Sequence, residues 1–206
     1  MMPDTGTASA QVAAYLLRSA ELKREVAGQC IDSILTAAGH IVKTFKAGGK
    51  LLLCGNGGSA ADCQHMAAEF VGRMAGTAEP EGLAAVALTT DTSFMTAFAN
   101  DYGFDAVFER QVRALGRAGD ALLGISTSGS SRNVIRAVEA ARAAGLHTIA
   151  LTGNGGPLKT LADVAISVPS ANTQHVQEAH LAIEHILVAL VEWQLLGRSS
   201  TWGERR

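Results

Sequence analysis

Aromatic residues are scarce in this chain, at 5% of 206 positions. Its core must therefore be assembled from Ala, Leu, Val and Ile, and a hydrophobic content of 48% supplies enough of them. Cysteine is scarce too. Cys30, Cys54 and Cys63 are odd in number and form no CxxC pair, which excludes a disulfide framework and a zinc finger. There is no basic block, and the formal net charge is -2 with 17% charged residues, so a dedicated nucleic-acid surface is not expected. No apolar run approaches the length that spans a bilayer. The N-terminal segment lacks the basic start, apolar stretch and cleavage site of a secretory signal. These absences predict a cytoplasmic protein with neither nucleic acid nor membrane as partner.

What is present is a repeating pattern. Apolar residues recur at helical spacing from about Ala10 to Phe45, with a break near Gly28, which predicts two helices before any strand. Short apolar runs of strand length follow: "KLLLCG", "AAVAL", "ALLGIS", "HTIALT" and "VAISVP". Helical segments alternate with them, at Ser59 to Arg73, Asp105 to Leu115, Ser131 to Ala144 and Leu158 to Ala162. A long helix is expected from Thr173 to Leu196, followed by a frayed polar tail, "GRSSTWGERR". Continuous apolar strands alternating with helices indicate a parallel sheet covered on both faces. The fold class is therefore α/β: a doubly wound five-stranded parallel sheet with an N-terminal helical arm and a long C-terminal helix. The arm occupies 1–48, the α/β domain 49–197 and the tail 198–206.

Open sheets of this kind bind ligands beyond the carboxyl ends of their strands, and three polar segments fall there. The first is "CGNGGSAADCQHMAAEF", Cys54 to Phe70. Its glycines allow close backbone approach to a ligand, and Ser59 is positioned to cap the next helix. Gly55, Gly57 and Ala60 also match a dinucleotide fingerprint, but Asp91 lies too far along to be its ribose-binding acid, and no P-loop G-K-[ST] follows. His65 and Glu69 share one face of the helix at i, i+4. The plain reading of such a pair is a solvated polar stripe; its place just after a glycine-rich loop favours a site. The second segment is "LTTDTSFMTAFANDYGF", where Asn100 and Asp101 precede Gly103, a composition that turn chemistry alone explains.

The third segment sets Ser126, Thr127, Ser128, Ser130 and Ser131 around Gly129, between a strand and a helix. One hydroxyl caps a helix; five are in excess. Hydroxyls and exposed N–H groups at a helix N-terminus make an anion site. With no Lys or Arg inside the loop and Arg132 at its edge, the arrangement suits a phosphate monoester held by hydrogen bonds. A serine hydrolase is not indicated, because G-x-S-x-G is absent around these serines. In the last helix, "TQHVQEAHLAIEHILVALVEW" places Gln177 and His185 eight residues apart, near one face. Glu178 and His180 are expected to point elsewhere, and Glu184 to lie on a neighbouring face. Taken alone, Gln177 reads as a surface amide and His185 as a satisfied core histidine.

Together, "CGNGGSAADCQH", "AND", "GISTSGSS", "ALTG" and "VQEAHLAIEHIL" closely resemble the sugar isomerase (SIS) fold, which is flavodoxin-like. More narrowly they resemble the phosphoheptose isomerase family, from the N-terminal helices to about Leu196. The resemblance implies that Ser126, Thr127, Ser128 and Ser131 bind phosphate, that Asn56, Gly57, Gly58 and Ser59 form a substrate-contacting loop, and that Asn100 and Asp101 contact the sugar. It implies Glu69 as catalytic base and His185 as the acid/base opposite, with Gln177 also touching substrate. In zinc-binding members the matching ligands are His65, Glu69, Gln177 and His185, one metal per subunit. The family is tetrameric with sites at subunit interfaces, so a homotetramer is expected.

The chemistry fits that implication. Ketose–aldose isomerisation moves a proton between adjacent carbons through an enediol, and needs a base and an electrophile at the carbonyl. Glu69 as a metal ligand and Glu69 as a free base are in conflict unless it moves. The chain departs from many relatives at His175, where Arg is common, at Gln174, where some have an acid, and at Ser130, where Asn is common. The competing readings are a non-catalytic SIS adaptor of the kind that associates with the bacterial replication initiator, and an NAD-dependent enzyme. Adaptors typically lack residues matching Glu69 and His185, and a dinucleotide enzyme has no use for the hydroxyl loop.

Overall fold

The computed structural model describes residues 5–72 and 82–196. The expected tail at 198–206 and the expected helix end at Arg73 lie outside the described residues. Two helices come first, α1 (Thr5–Gln29) and α2 (Ile31–Lys46). The break between them falls at Cys30 rather than Gly28, which lies within α1.

Five strands follow: β1 (Leu51–Gly55), β2 (Ala85–Ala87), β3 (Ala121–Ser126), β4 (His147–Thr152) and β5 (Val164–Ser167). All pairings are parallel and the order is β2-β1-β3-β4-β5. Between them run α3 (Gly58–Val71), α4 (Thr92–Tyr102), a 3-10 turn (Phe104–Ala106), α5 (Val107–Leu115), α6 (Arg132–Ala143) and α7 (Leu158–Leu161), and α8 (Thr173–Leu196) closes the chain. The segment expected to be helical from Asp105 thus opens with a 3-10 turn.

Strand alternation divides the core in two. Leu51, Leu53, Leu123, Ile125, Ile149 and Leu151 pack with α1, α2, α3 and α8. Leu52, Cys54, Leu122 and Ala150 face α5 and α6 on the other side. The three central strands are buried on both faces, which is why they read as unbroken apolar runs. Each fully buried Leu contributes about 1.5–3 kcal/mol relative to exposure. Asp120 ties the amino ends of β1 and β3 by accepting from the Lys50 amide (2.9 Å) and ammonium (2.5 Å).

This strand order reverses direction between β1 and β3, and ligands bind such sheets at that switch point. The glycine-rich loop follows β1 and the hydroxyl loop follows β3, so the fold sets the two richest motifs of the sequence side by side.

Candidate functional site

The glycine-rich loop is shaped by three different demands. Gly57 takes φ +56° and occupies the N-cap of α3, the place expected for Ser59, which instead lies buried in the first turn. Gly55 is crossed by that turn, so closely that a Cβ there would stand 2.8 Å from the Ser59 carbonyl oxygen. At Gly58 a Cβ would fall 1.7 Å from Gln177 Nε2. The glycine makes room for a side chain of the same chain, where a dinucleotide enzyme would seat a pyrophosphate. Asn56 exchanges two hydrogen bonds with Asn133 of α6, each 2.8 Å. Its amide is thereby committed to clamping the loop across the switch point.

In the hydroxyl loop, Ser126 Oγ lies 2.9 Å from Ser131 Oγ and 3.4 Å from Ser128 Oγ. Ser131 holds the N-cap position of α6, yet its side chain makes no cap hydrogen bond. The hydroxyls are gathered around one another rather than spent on capping. Gly129 turns at φ +66°, and a Cβ there would meet the Gly155 carbonyl oxygen at 2.2 Å. Gly153 N donates to Thr127 O (3.1 Å) and Leu158 N to Gly129 O (3.2 Å), so the segment after β4 braces the cup from outside. That is the structural use of the "ALTG" motif. Ser128 is exposed and Thr127 partly so, leaving their hydroxyls to donate to an anion, while the exposed Ser130 hydroxyl donates to the Ser128 carbonyl (3.3 Å). Arg132 is turned away into an ion pair with Asp105 (3.2 Å).

α3 and α8 bring the remaining candidates together. His65 Nε2 and His185 Nε2 lie 2.9 Å apart with their rings nearly perpendicular. One ring donates and the other accepts. His185 is exposed, so it is not the core histidine its apolar neighbours suggested. Glu69, one turn after His65, is partly exposed and makes no hydrogen bond or ion pair among the described residues. Gln177 Nε2 donates to Asp62 Oδ2 at 3.3 Å. Asp62 is buried, and burial raises its pKa against the Gln177 hydrogen bond and the His65 charge. Sequence reasoning passed over Asp62; its spacing of three residues before His65 was the available signal.

Two further groups on α8, expected off the Gln177–His185 face, lie in the interior. Glu184 is 1% exposed and neither carboxylate oxygen has a hydrogen-bond partner among the described residues. Burial pushes its pKa up to about 8, with the nearby Asp62 charge adding to the effect. His180 is fully buried, and burial lowers its pKa to about 4, with the backbone of Thr152 pulling weakly the other way. His175, the departure from Arg, is buried against the Tyr15 ring (4.2 Å between centroids), while Gln174 is exposed.

Asn100 and Asp101 lie in the last turn of α4 rather than in a loop. Both are exposed and joined to each other at 2.9 Å. No hydrogen bond or ion pair connects them to the other candidates among the described residues.

A flavodoxin-ordered sheet with a hydroxyl cup and a histidine pair at its carboxyl end is the framework of a phosphosugar-handling domain, and the SIS domain model matches residues 14–153. The chain belongs to the phosphoheptose isomerase family of SIS-domain proteins. It is 52% identical over 175 residues to the phosphoheptose isomerase of Roseiflexus sp. strain RS-1, covering 84% of this chain and 88% of that one. It superimposes on phosphoheptose isomerase GmhA of Neisseria gonorrhoeae with a TM-score of 0.84 at 47% identity, over 89% of this chain and 98% of the other. The phosphoheptose isomerase of Francisella tularensis gives 0.85 at 38% identity, over 89% and 97%. It is a sugar-phosphate isomerase.

Proposed function

We propose that the chain converts D-sedoheptulose 7-phosphate to D-glycero-D-manno-heptose 7-phosphate through an enediol. The observation that carries this reading is the His65–His185 meeting of α3 and α8, with Glu69 one turn further along α3, at the same end of the sheet as the hydroxyl cup. Ser126, Thr127, Ser128 and Ser131 hold the phosphate. Asn56, Gly57, Gly58 and Ser59 lie along the chain of the sugar, with Gln177 and the Asn100–Asp101 pair as further contacts. Glu69 takes the proton from one carbon and returns it to the next, while His185 moves the proton between the two oxygens. The relatives bear isomerase names, which leaves the adaptor reading without support.

Zinc is the cofactor this reading carries, held by His65, Glu69, Gln177 and His185. In the single chain the residues fit in part: the two imidazoles converge, but Gln177 is engaged with Asp62. No group of three or more His, Cys, Asp or Glu able to hold a metal occurs among the described residues. When bound, zinc would offset charge developing on a substrate oxygen.

The domain division is 1–48, 49–197 and 198–206, and the assembly a homotetramer. Val12, Leu16 and Leu17 of α1 are 62%, 62% and 70% exposed. A groove of about 380 Å³ between α1, α2 and α8, lined by Val26, Ile31, Leu35, Ile183, Ile186 and Leu190, is almost wholly apolar. A site completed between subunits accommodates the isolation of Asn100 and Asp101 within one chain. The protein acts in the cytoplasm; no helix of the described residues is long and apolar enough to cross a membrane.

The test is product formation from sedoheptulose 7-phosphate, followed by NMR in D₂O with and without zinc, beside Glu69→Gln. Heptose 7-phosphate formed by the parent and reduced by about 10²–10⁴-fold in the variant is expected. Absence of product under every metal condition would overturn the reading.

A further inference from the structure

The face of the sheet opposite α1, α2 and α8 carries a second concavity. It measures about 290 Å³ and is lined by Phe98, Tyr102, Glu109, Arg110, Arg113 and Arg136. Three cations face one carboxylate there. Glu109 is held between Arg113 (2.9 Å) and Arg136 (2.6 Å), while Arg110 is exposed and makes no ion pair or hydrogen bond among the described residues. The pocket therefore retains net positive charge, with Arg113 and Arg136 oriented by the carboxylate they share.

Its other wall is aromatic. Phe94, Phe98 and Tyr102 recur every four residues along α4 and stack in sequence, with centroids 5.2 Å and then 4.8 Å apart. α4 has no buried residue, and Tyr102, at the end of the ladder, is 72% exposed. Phe94 and Phe98 are partly buried, Phe98 packing against the core, so the ladder is anchored at its inner end and presents only Tyr102 fully to the pocket. Aromatic faces accept planar rings, and arginines accept phosphate oxygens in fork geometry. The volume of about 290 Å³ is just under the usual range for ligand pockets and the concavity is open, so a nucleotide seated there extends partly into solvent.

We propose that this pocket binds a nucleoside diphosphate, its base stacked on Tyr102 and its phosphates on Arg110 and Arg113. The site is separate from the hydroxyl cup and does not depend on which sugar is isomerised. It has a structural route to that cup. Arg136 lies on α6, and the first turn of α6 closes the hydroxyl loop, so a phosphate that draws Arg113 away from the Glu109 it shares with Arg136 acts on the helix that carries the phosphate site.

The test is calorimetric titration of the intact protein with ADP and GDP, with pyrophosphate and adenosine as single-feature controls. Arg110→Ala and Tyr102→Leu are titrated alongside, and oligomeric state is checked by sedimentation. Saturable nucleotide binding, at least tenfold tighter than either control and weakened at least tenfold in both variants, is expected. No saturable binding of either nucleotide would overturn the proposal. Pyrophosphate binding as tightly as ADP would overturn the stacking role of α4. A change in oligomeric state in either variant would make the pocket a subunit interface and overturn it as a nucleotide site.

Discussion

Gln177 lies over Gly58 with no space between them: a single methyl on that glycine would stand 1.7 Å from the amide nitrogen. This relationship, across 119 positions of sequence, locks the loop after β1 to the closing helix α8. It also fixes the amide that meets Asp62. Because the clashing atoms are the far end of the flexible Gln177 side chain, Gly58→Ala is expected to cost no more than about 1 kcal/mol, the low end for overpacked sites, and to lower turnover by displacing that amide. The double variant Gly58→Ala with Gln177→Ala should recover most of the stability and none of the activity. Urea unfolding of the parent and the two variants beside isomerase assays reads both. A double variant no more stable than Gly58→Ala would show that the clash is not the cause.

The hydroxyl cup makes a different demand. Ser126 is central, within 3.4 Å of both Ser128 and Ser131. A hydrogen bond to a charged group is worth about 1.5–3 kcal/mol. Ser126→Ala with Ser128→Ala should therefore raise KM for the sugar phosphate by roughly 10²-fold or more, with a smaller effect on kcat. Unchanged affinity would remove the phosphate from this loop.

Stability should depend on pH through two buried groups of α8. His180 has its pKa lowered from 6.5 to about 4. Between those values the unfolded chain binds a proton that the folded chain does not, so stability falls as pH drops through that window. Glu184 has its pKa raised from 4.5 to about 8. Here the folded chain keeps a proton that the unfolded chain releases, so stability falls as pH rises from 4.5 to about 8. The slopes oppose each other between 4.5 and 6.5, and above 6.5 only the Glu184 loss remains. Glu184→Gln should abolish the decline above 6.5, measured as Tm across buffers. A Tm profile identical to that of the parent would place the Glu184 pKa outside this range.

Assembly should be sensitive to the exposed face of α1. Leu17 is 70% exposed, beside Val12 and Leu16 at 62% each. Leu17→Asp is expected to shift the protein to smaller species in sedimentation while leaving its circular dichroism unchanged. A variant that keeps the parent's sedimentation would move the interface elsewhere.

Much of the fold was legible before any coordinates. The runs around Leu52, Leu122 and Ile149 are buried on both faces, and such strands carry no polar alternation to obscure them. The two outer strands were recognised but overextended, since β2 spans three residues and β5 four. The apolar stretch before Asn100 is helical, as Phe94, Phe98 and Tyr102 at four-residue spacing allow, but α4 runs on through Asn100 and Asp101, whose turn-forming composition hid its last turn. The departure at His175 became intelligible only once Tyr15 was seen against it.

The sequence by itself determined the layered α/β plan and the hydroxyl loop, because both are written in local patterns: apolar runs of strand length, and hydroxyls where a strand passes to a helix. Only the tertiary structure decided what Gln177, Asp62, His65 and His185 do, since their partners lie more than a hundred residues away or on another helix. Local spacing fixes which face of a helix a residue shares. It does not fix what that face meets, and so Glu184, polar and unremarkable in the sequence, proved to be buried to 1% exposure beside Asp62.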